Sequence, residues 1–312
     1  MTIAFTFPGQ GSQAVGMGKA LAEAFVPARD VFNEVDEALT QNLSQLMWDG
    51  PEDALTLTEN AQPALMAVSM AVMQVLKSEM GFSLVDHVKF VAGHSLGEYS
   101  ALAAAGTFSL GDTARLLKIR GQAMQRAVPV GEGAMAALLG LEFDDARAVA
   151  EDAARDGEVC QAANDNAPGQ VVISGAKAAV ERAIELAKEK GARRAMLLPV
   201  SAPFHCAMMQ PAADEMAQAL SEVEMSAPVV PLVANVSASL ITSPEDIRKS
   251  LVEQVTGMVR WRECVGVLAE QGVTTLYEAG SGKVLSGLAR RINRDLEAKS
   301  LGTPEEISAF AL

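Results

Sequence analysis

The segment "VAGHSLGEYSALAAAG", residues 91–106, constrains the fold more tightly than any other stretch of the chain. An apolar run leads into Gly93-His94-Ser95-Leu96-Gly97, and an alanine-rich helical pattern closed by Gly106 leads out. Gly93, Ser95 and Gly97 match G-x-S-x-G, a serine held on a sharp turn between a strand and a helix. A turn so tight leaves no room for Cβ atoms where the two backbones approach, which accounts for both glycines. The same five residues also fit an ordinary Gly-rich turn with Ser95 as helix cap. The context favours a nucleophile: His87 to Ala92 reads as the strand, and the helix runs from about Leu96. Ser95 then stands at a helix N-terminus, where free N–H groups and the dipole favour the oxyanion of an acyl-transfer intermediate.

An elbow of this kind belongs to a parallel sheet. The first 125 residues alternate short apolar runs (Ile3 to Phe7, Val88 to Ala92) with helical patterns, the rhythm of an α/β domain with a mostly parallel sheet. From about residue 128 the texture changes. "GAMAALLGL" reads as a strand, "FDDARAVAEDAARDG" as a helix and "EVCQAANDNAPGQVVISG" as a hairpin turning at Asn-Ala-Pro-Gly; "AAVERAIELAKEKGA" is then a helix and "RRAMLLPV" a strand. The order β-α-β-β-α-β is a compact ferredoxin-like unit. Alternation resumes with "VVPLVANVS" and "VTTLYEAG", so residues 128–199 read as a subdomain inserted into a core made of 1–127 and 200–312.

Composition removes several function classes. With 25 Lys and Arg against 39 Asp and Glu, the net charge of −14 opposes non-specific binding to nucleic acid. An acidic protein partner would have to dock on a local basic patch, and "ARRINR", which contains Arg290 and Arg291, is the best candidate. The apolar stretches are short and interrupted, so neither a transmembrane helix nor a membrane partner is expected. "MTIAFTFPGQ" lacks the basic start and long apolar region of a signal peptide, and a cytoplasmic location is expected. Cys160, Cys206 and Cys264 are far apart and form no C-x-x-C pair, which predicts buried, reduced thiols rather than disulfides or a metal site. No feature demands more than a monomer.

A serine nucleophile needs a base, and the chain has three histidines. His87 begins the strand at its far end, and His94 adjoins Ser95, where neighbouring side chains point to opposite sides. His205 remains, in "LLPVSAPFHCAMM", a strand-to-helix junction from which a side chain can reach over the sheet's carboxyl edge. No acid is marked by spacing as a third member, but a backbone carbonyl can orient an imidazole equally well. Arg120 sits among Leu116, Leu117, Ala123 and Met124 on the apolar face of a helix that Ser109 and Asp112 begin as a capping box. A buried guanidinium must be paired, either in an internal salt bridge or by a carboxylate that the substrate supplies. "FPGQGSQAVGMG", residues 7–18, fits a permissive G-x-G-x-x-A. The second strand of a dinucleotide fold is replaced by the helical "ARDVFNEVDEALTQ", and no P-loop lysine follows, so a nucleotide-binding module is the weakest reading. The loop's free N–H groups can instead supply half of an oxyanion hole.

Taken together, "FPGQGSQ", "GHSLGEYSAL", Arg120-Gly121, "GAMAAL", "PGQVVISG", "PFHC" and "GSGKVLSGL" resemble the malonyl-CoA:acyl carrier protein transacylases, in order and almost end to end. The resemblance implies an α/β-hydrolase-like core with the ferredoxin-like insertion, and ping-pong chemistry. Ser95 would attack the malonyl thioester with His205 as base, and the malonyl-serine ester would pass to the phosphopantetheine thiol of acyl carrier protein. No cofactor is implied, since the CoA thioester and the phosphopantetheine are substrates. The resemblance further implies an oxyanion hole from the backbone amides of Gln10 and Leu96, a malonyl carboxylate paired with Arg120, and His205 oriented by the Gln254 carbonyl. Asn164, in the loop of the insertion, would line the cleft. Phe204 would accompany malonyl preference by leaving no room for an α-methyl, although one methylene is worth only about 1–3 kcal/mol. A serine esterase or thioesterase, with water as acceptor, is the alternative use of the same pair. Against it, such hydrolases usually carry their histidine nearer the C-terminal end.

Overall fold

Strand β1 (Ile3–Phe7) is buried along its whole length, as a strand with helices on both faces of its sheet must be. The computed structural model describes residues 2–311. Their other strands are β2 (Val88–Gly93), β3 (Gly133–Leu139), β4 (Cys160–Ala167), β5 (Gln170–Ala176), β6 (Arg194–Leu197), β7 (Leu232–Val233), β8 (Leu240–Ile241), β9 (Thr275–Ala279) and β10 (Glu297–Leu301). Six of the strands form one sheet in the order β10-β9-β1-β2-β7-β8. Every pairing in it is parallel except β7 with β8 at the edge. The molecule is thus an α/β fold with a mixed, mostly parallel sheet, built from residues on both sides of the segment 128–199.

That segment makes the second sheet, ordered β4-β5-β3-β6 and antiparallel throughout. Alternate residues of its strands, among them Ala136, Leu138, Val171 and Ile173, pack against Val149 of helix Phe143–Ala153 and Val180 of helix Lys177–Glu189. This is the period of two meeting the helical period over one core. The β4–β5 hairpin turns through Pro168-Gly169, with Gly169 at φ +66, a conformation that costs a glycine nothing in Cβ contacts.

Strand β4 of the small sheet is tied to the segment around helix Trp261–Glu270 of the core. Asp165 N donates to Val259 O at 3.0 Å and Val259 N to Ala163 O at 2.9 Å, while Arg262 meets the buried Asp165 carboxylate at 2.8 Å. Strand β4 runs through to Ala167, leaving only two residues for the turn, so Asn164 lies within the strand and not in the insertion's loop as expected. His87 also differs from expectation. It ends the short helix Leu84–His87 and is exposed, its Nδ1 2.8 Å from Ser83 O; the strand begins only at Val88. Cys160, Cys206 and Cys264 are free and buried. Among the described residues no helix is long and apolar enough to cross a membrane, and no cluster of potential metal ligands occurs.

Candidate active site

The turn after β2 is as tight as its glycines predict. A Cβ on Gly93 would lie 1.9 Å from the Gly97 carbonyl carbon, and one on Gly97 would lie 2.2 Å from Phe7 O. Ser95 between them adopts φ +53, a left-handed conformation that costs a non-glycine residue on the order of 1–3 kcal/mol and persists only when its surroundings hold it. Asn235, fully buried just after β7, does the holding. Its Oδ1 accepts from Ser95 N at 2.8 Å, and its Nδ2 donates to Gly93 O at 2.7 Å. The loop after β1 closes from the other side: a Cβ on Gly9 would fall 2.6 Å from His94 O. Among the described residues the backbone N–H groups of Gln10 and Leu96 find no acceptor, and both residues line the same cleft as Ser95. The Gln10 side chain is fixed by Thr58 Oγ1, which donates to its Oε1 at 2.9 Å.

His205 comes from the loop before helix Gln210–Ser221 and is itself left-handed, at φ +59. Its Nε2 is 2.8 Å from Ser95 Oγ, and its Nδ1 is 2.9 Å from Gln254 O and 3.2 Å from Gly257 O. Carbonyl oxygens only accept, so Nδ1 carries the hydrogen and the Ser95 hydroxyl donates to Nε2. Burial, reinforced by the nearby Arg120 charge, pushes the imidazole down to about 3, so it is neutral over the ordinary pH range. A neutral imidazole accepting from a serine hydroxyl can take its proton. His94, by contrast, faces Asn166 Oδ1 at 2.8 Å and packs on Trp261, away from the Ser95 hydroxyl.

Arg120 is 1% exposed on helix Leu110–Ala127, which Ser109 caps by accepting from Asp112 N at 3.0 Å. Nη1 donates to Gln62 Oε1 at 2.7 Å; Nη2 donates to Gln254 Oε1 at 2.8 Å and to Ser95 Oγ at 3.2 Å. The guanidinium carbon lies 5.7 Å above the Tyr99 ring. All of these partners are uncharged. The internal salt bridge that would have explained Arg120 structurally is therefore not what satisfies it, and a permanent cation stands beside the serine.

A cavity of about 1040 Å³ opens over these groups. Ser95, Gln10, Leu96 and Arg120 form its floor on the core side, and Met135 and Val172 of the small sheet line it with Asn164 and Phe204, which are 6% and 7% exposed. Arg290 and Arg291 lie apart from it, exposed in the last turn of helix Val284–Ile292. Arg290 donates to Ala298 O at 2.9 Å, and Arg291 donates to Gln170 Oε1 on the β4–β5 hairpin.

Gln62, Asn235 and Glu98 also belong to the site, although no sequence motif singles them out. Glu98 had a signal. On the helix Gly97–Ala104 its neighbours at i+3 and i+4 are Ala101 and Leu102, the same pattern of charge on an apolar face that singles out Arg120. Its Oε2 accepts from Gln254 Nε2 at 2.7 Å and from Asn235 N at 3.2 Å, and burial raises the carboxyl to about 7.

His205 and Glu98 make stability depend on pH with opposite signs. The folded His205 sits at about 3 against an ordinary 6.5, so its contribution is whole above pH 6.5 and is lost as pH falls. The folded Glu98 sits at about 7 against an ordinary 4.5, so its contribution is whole below pH 4.5 and is lost as pH rises through 7. Between 4.5 and 6.5 the two offset each other. Relative to the parent, Glu98→Gln should therefore gain stability as pH rises through that window, a slope that urea unfolding at several pH values will measure. An unchanged or opposite slope would contradict the assignment of Glu98.

Residues 4–288 match the model of the acyl transferase domain. The malonyl CoA-acyl carrier protein transacylase of Bacillus subtilis (strain 168) is 48% identical over 305 residues, covering 98% of this chain and 95% of that protein. Among solved structures, an acyl-carrier-protein-S-malonyltransferase from Bartonella henselae superposes with a TM-score of 0.97 at 62% identity, covering 99% of this chain and 98% of that one. A malonyl-transacylase in complex with its type II PKS acyl-carrier protein gives a TM-score of 0.95 at 42% identity, with 99% and 98% covered. Since the likeness runs through both sheets and across the cleft between them, the chain belongs to the malonyl CoA-acyl carrier protein transacylases, a family of acyltransferase enzymes.

Proposed function

We propose that this enzyme moves a malonyl group from malonyl-CoA to the phosphopantetheine thiol of an acyl carrier protein, through a malonyl ester on Ser95. The observation that carries the reading is Arg120: a buried cation, satisfied only by neutral acceptors, with Nη2 3.2 Å from Ser95 Oγ. A carboxylated acyl group gives that charge a partner, and an uncharged one does not.

In the first half-reaction His205 Nε2 takes the Ser95 proton while Oγ attacks the thioester carbonyl. The backbone N–H groups of Gln10 and Leu96 receive the oxyanion, and the Gln254 carbonyl keeps the His205 Nδ1–H in place. The intermediate collapses, the C–S bond breaks, and His205 returns the proton to the departing CoA sulfur. In the second half-reaction the carrier thiol gives its proton to His205 and attacks the ester. The C–O bond breaks and His205 reprotonates Ser95. Arg120 holds the malonyl carboxylate throughout, Phe204 limits bulk at the α-carbon, and Asn164 lines the acyl cavity. No cofactor takes part. We read the scaffold as an α/β-hydrolase-like core of residues 1–127 and 200–312 carrying a ferredoxin-like subdomain, 128–199; the strand order β4-β5-β3-β6 supports the latter.

Mass spectrometry of the enzyme mixed with malonyl-CoA alone tests the route. A lasting malonyl adduct on Ser95, discharged when carrier protein is added, is the expected result; rapid release of free malonate without an adduct would turn the reading to a thioesterase. Arg290 and Arg291, exposed near the β4–β5 hairpin, are proposed to dock the carrier. Reversing their charge should slow discharge onto the carrier and spare loading from CoA, and equal effects on both halves would remove them from that role.

A further inference from the structure

Three carboxylates are buried among the described residues, and two have an evident structural partner. Asp165 meets Arg262, and Glu278 accepts from Leu285 N and Ser286 N at the start of helix Val284–Ile292. Glu98 meets no cation directly and caps no helix. Its Oε2 accepts from Gln254 Nε2 and Asn235 N, and its Oε1 has no hydrogen-bond partner.

Gln254 explains what that carboxylate does. A primary amide has a donor end and an acceptor end, and whatever faces the donor end decides where the oxygen points. Here Nε2 faces Glu98 Oε2 at 2.7 Å and Ser95 O at 3.0 Å, so Oε1 is turned onto Arg120 Nη2 at 2.8 Å. The amide bridges the carboxylate and the guanidinium, its positive end on one and its negative end on the other. Turned over, it would set an NH₂ group against the guanidinium, donor against donor, in a site too buried for water to compensate.

We propose that Glu98 is a positioning residue for acyl-group selection: by accepting from Gln254 it locks the amide oxygen onto Arg120 and holds the guanidinium beside Ser95. This rests on the reading of Arg120 as the carboxylate's partner. Glu98 touches neither the acyl group nor the reacting atoms. It acts through Gln254, so its loss alters preference between acyl groups more than it alters Ser95 chemistry.

Glu98→Gln is the direct test. The new carboxamide either sets its NH₂ against Gln254 Nε2, which undoes the lock, or keeps its oxygen there as a weaker, neutral acceptor and buries the NH₂ where Glu98 Oε1 now has no partner, which loosens it. With kcat/KM measured for malonyl-CoA and acetyl-CoA, the malonyl-to-acetyl ratio should fall roughly tenfold, mainly through the malonyl value. Gln254→Met keeps the backbone carbonyl that meets His205 and removes only the amide, so it should lower the ratio similarly. Combining the two changes should lower it no further than the lower single variant. A packing defect would depress both substrates in proportion; an unchanged ratio in the folded variants overturns the proposal, and Gln254→Met decides alone if Glu98→Gln does not accumulate. Arg120→Ala run beside them separates the failures. If it leaves the ratio unchanged, the reading of Arg120 falls; if it collapses the ratio while the other two variants do not, only the role of Glu98 is overturned.

Discussion

Ser95→Ala should lower malonyl transfer by about 10⁴-fold or more, and His205→Ala made on top of it should lower the remainder hardly at all. The reason is that the two side chains perform one act. At 2.8 Å from Ser95 Oγ, His205 Nε2 has nothing to accept once the hydroxyl is gone, and without the imidazole the hydroxyl keeps its proton at neutral pH. The tautomer is fixed by two carbonyls rather than by an acid, at 2.9 and 3.2 Å from Nδ1. Because the imidazole is pushed down to about 3, it arrives deprotonated, and the acid limb of the kcat/KM profile should lie well below pH 6.5. Ser95→Ala should stay folded, since Asn235 grips the backbone of residue 95 and not its side chain. Rates from malonyl-CoA for the parent, the two single variants and the double variant check this. Two losses that multiply would mean that serine and histidine act independently, and the mechanism would fail.

What the sequence discloses of this site follows from how each residue announces itself. Ser95 is marked by glycines that the turn geometry demands, and His205 by the scarcity of histidines. Arg120 is marked by a charge that the helical period puts on an apolar face. The βαββαβ unit is equally plain, because each piece has its own period and its hairpin its own turn residues. β7 lies inside the apolar run "VVPLVANVS", but β8 spans two residues and carries no period at all; it exists through pairing with β7. Asn235, Gln62 and the Gln254 side chain are harder still. An amide is neutral and common, and its role comes from which end meets which partner, a fact of tertiary structure alone. The division of roles within Gln254 is equally hidden: on helix Pro244–Thr256 it turns its main-chain oxygen to His205, which only the family resemblance implies, and its side-chain oxygen to Arg120, which no spacing tells.

Arg120→Ala should change which acyl group the enzyme prefers. A buried carboxylate that loses its cation forfeits about 2–5 kcal/mol, so kcat/KM for malonyl-CoA should fall by about 30-fold to nearly four orders of magnitude. Acetyl-CoA brings no carboxylate, so it loses none of that and gains relative to malonyl-CoA. The variant also carries a stability cost, because Gln62 Oε1 and Gln254 Oε1 both lose the donor they now face, at about 1–3 kcal/mol for each acceptor left buried and unpaired. Selectivity must therefore be read on protein shown to be folded. Arg120→Lys sharpens the reading. An ammonium keeps the charge, but as a single point it cannot reproduce the fork that serves Gln62 through Nη1 and Gln254 and Ser95 through Nη2. It should recover part of the malonyl activity and less of the preference. A folded Arg120→Ala enzyme that keeps the parent's malonyl-to-acetyl ratio would show that the cation beside Ser95 serves the fold and not the substrate.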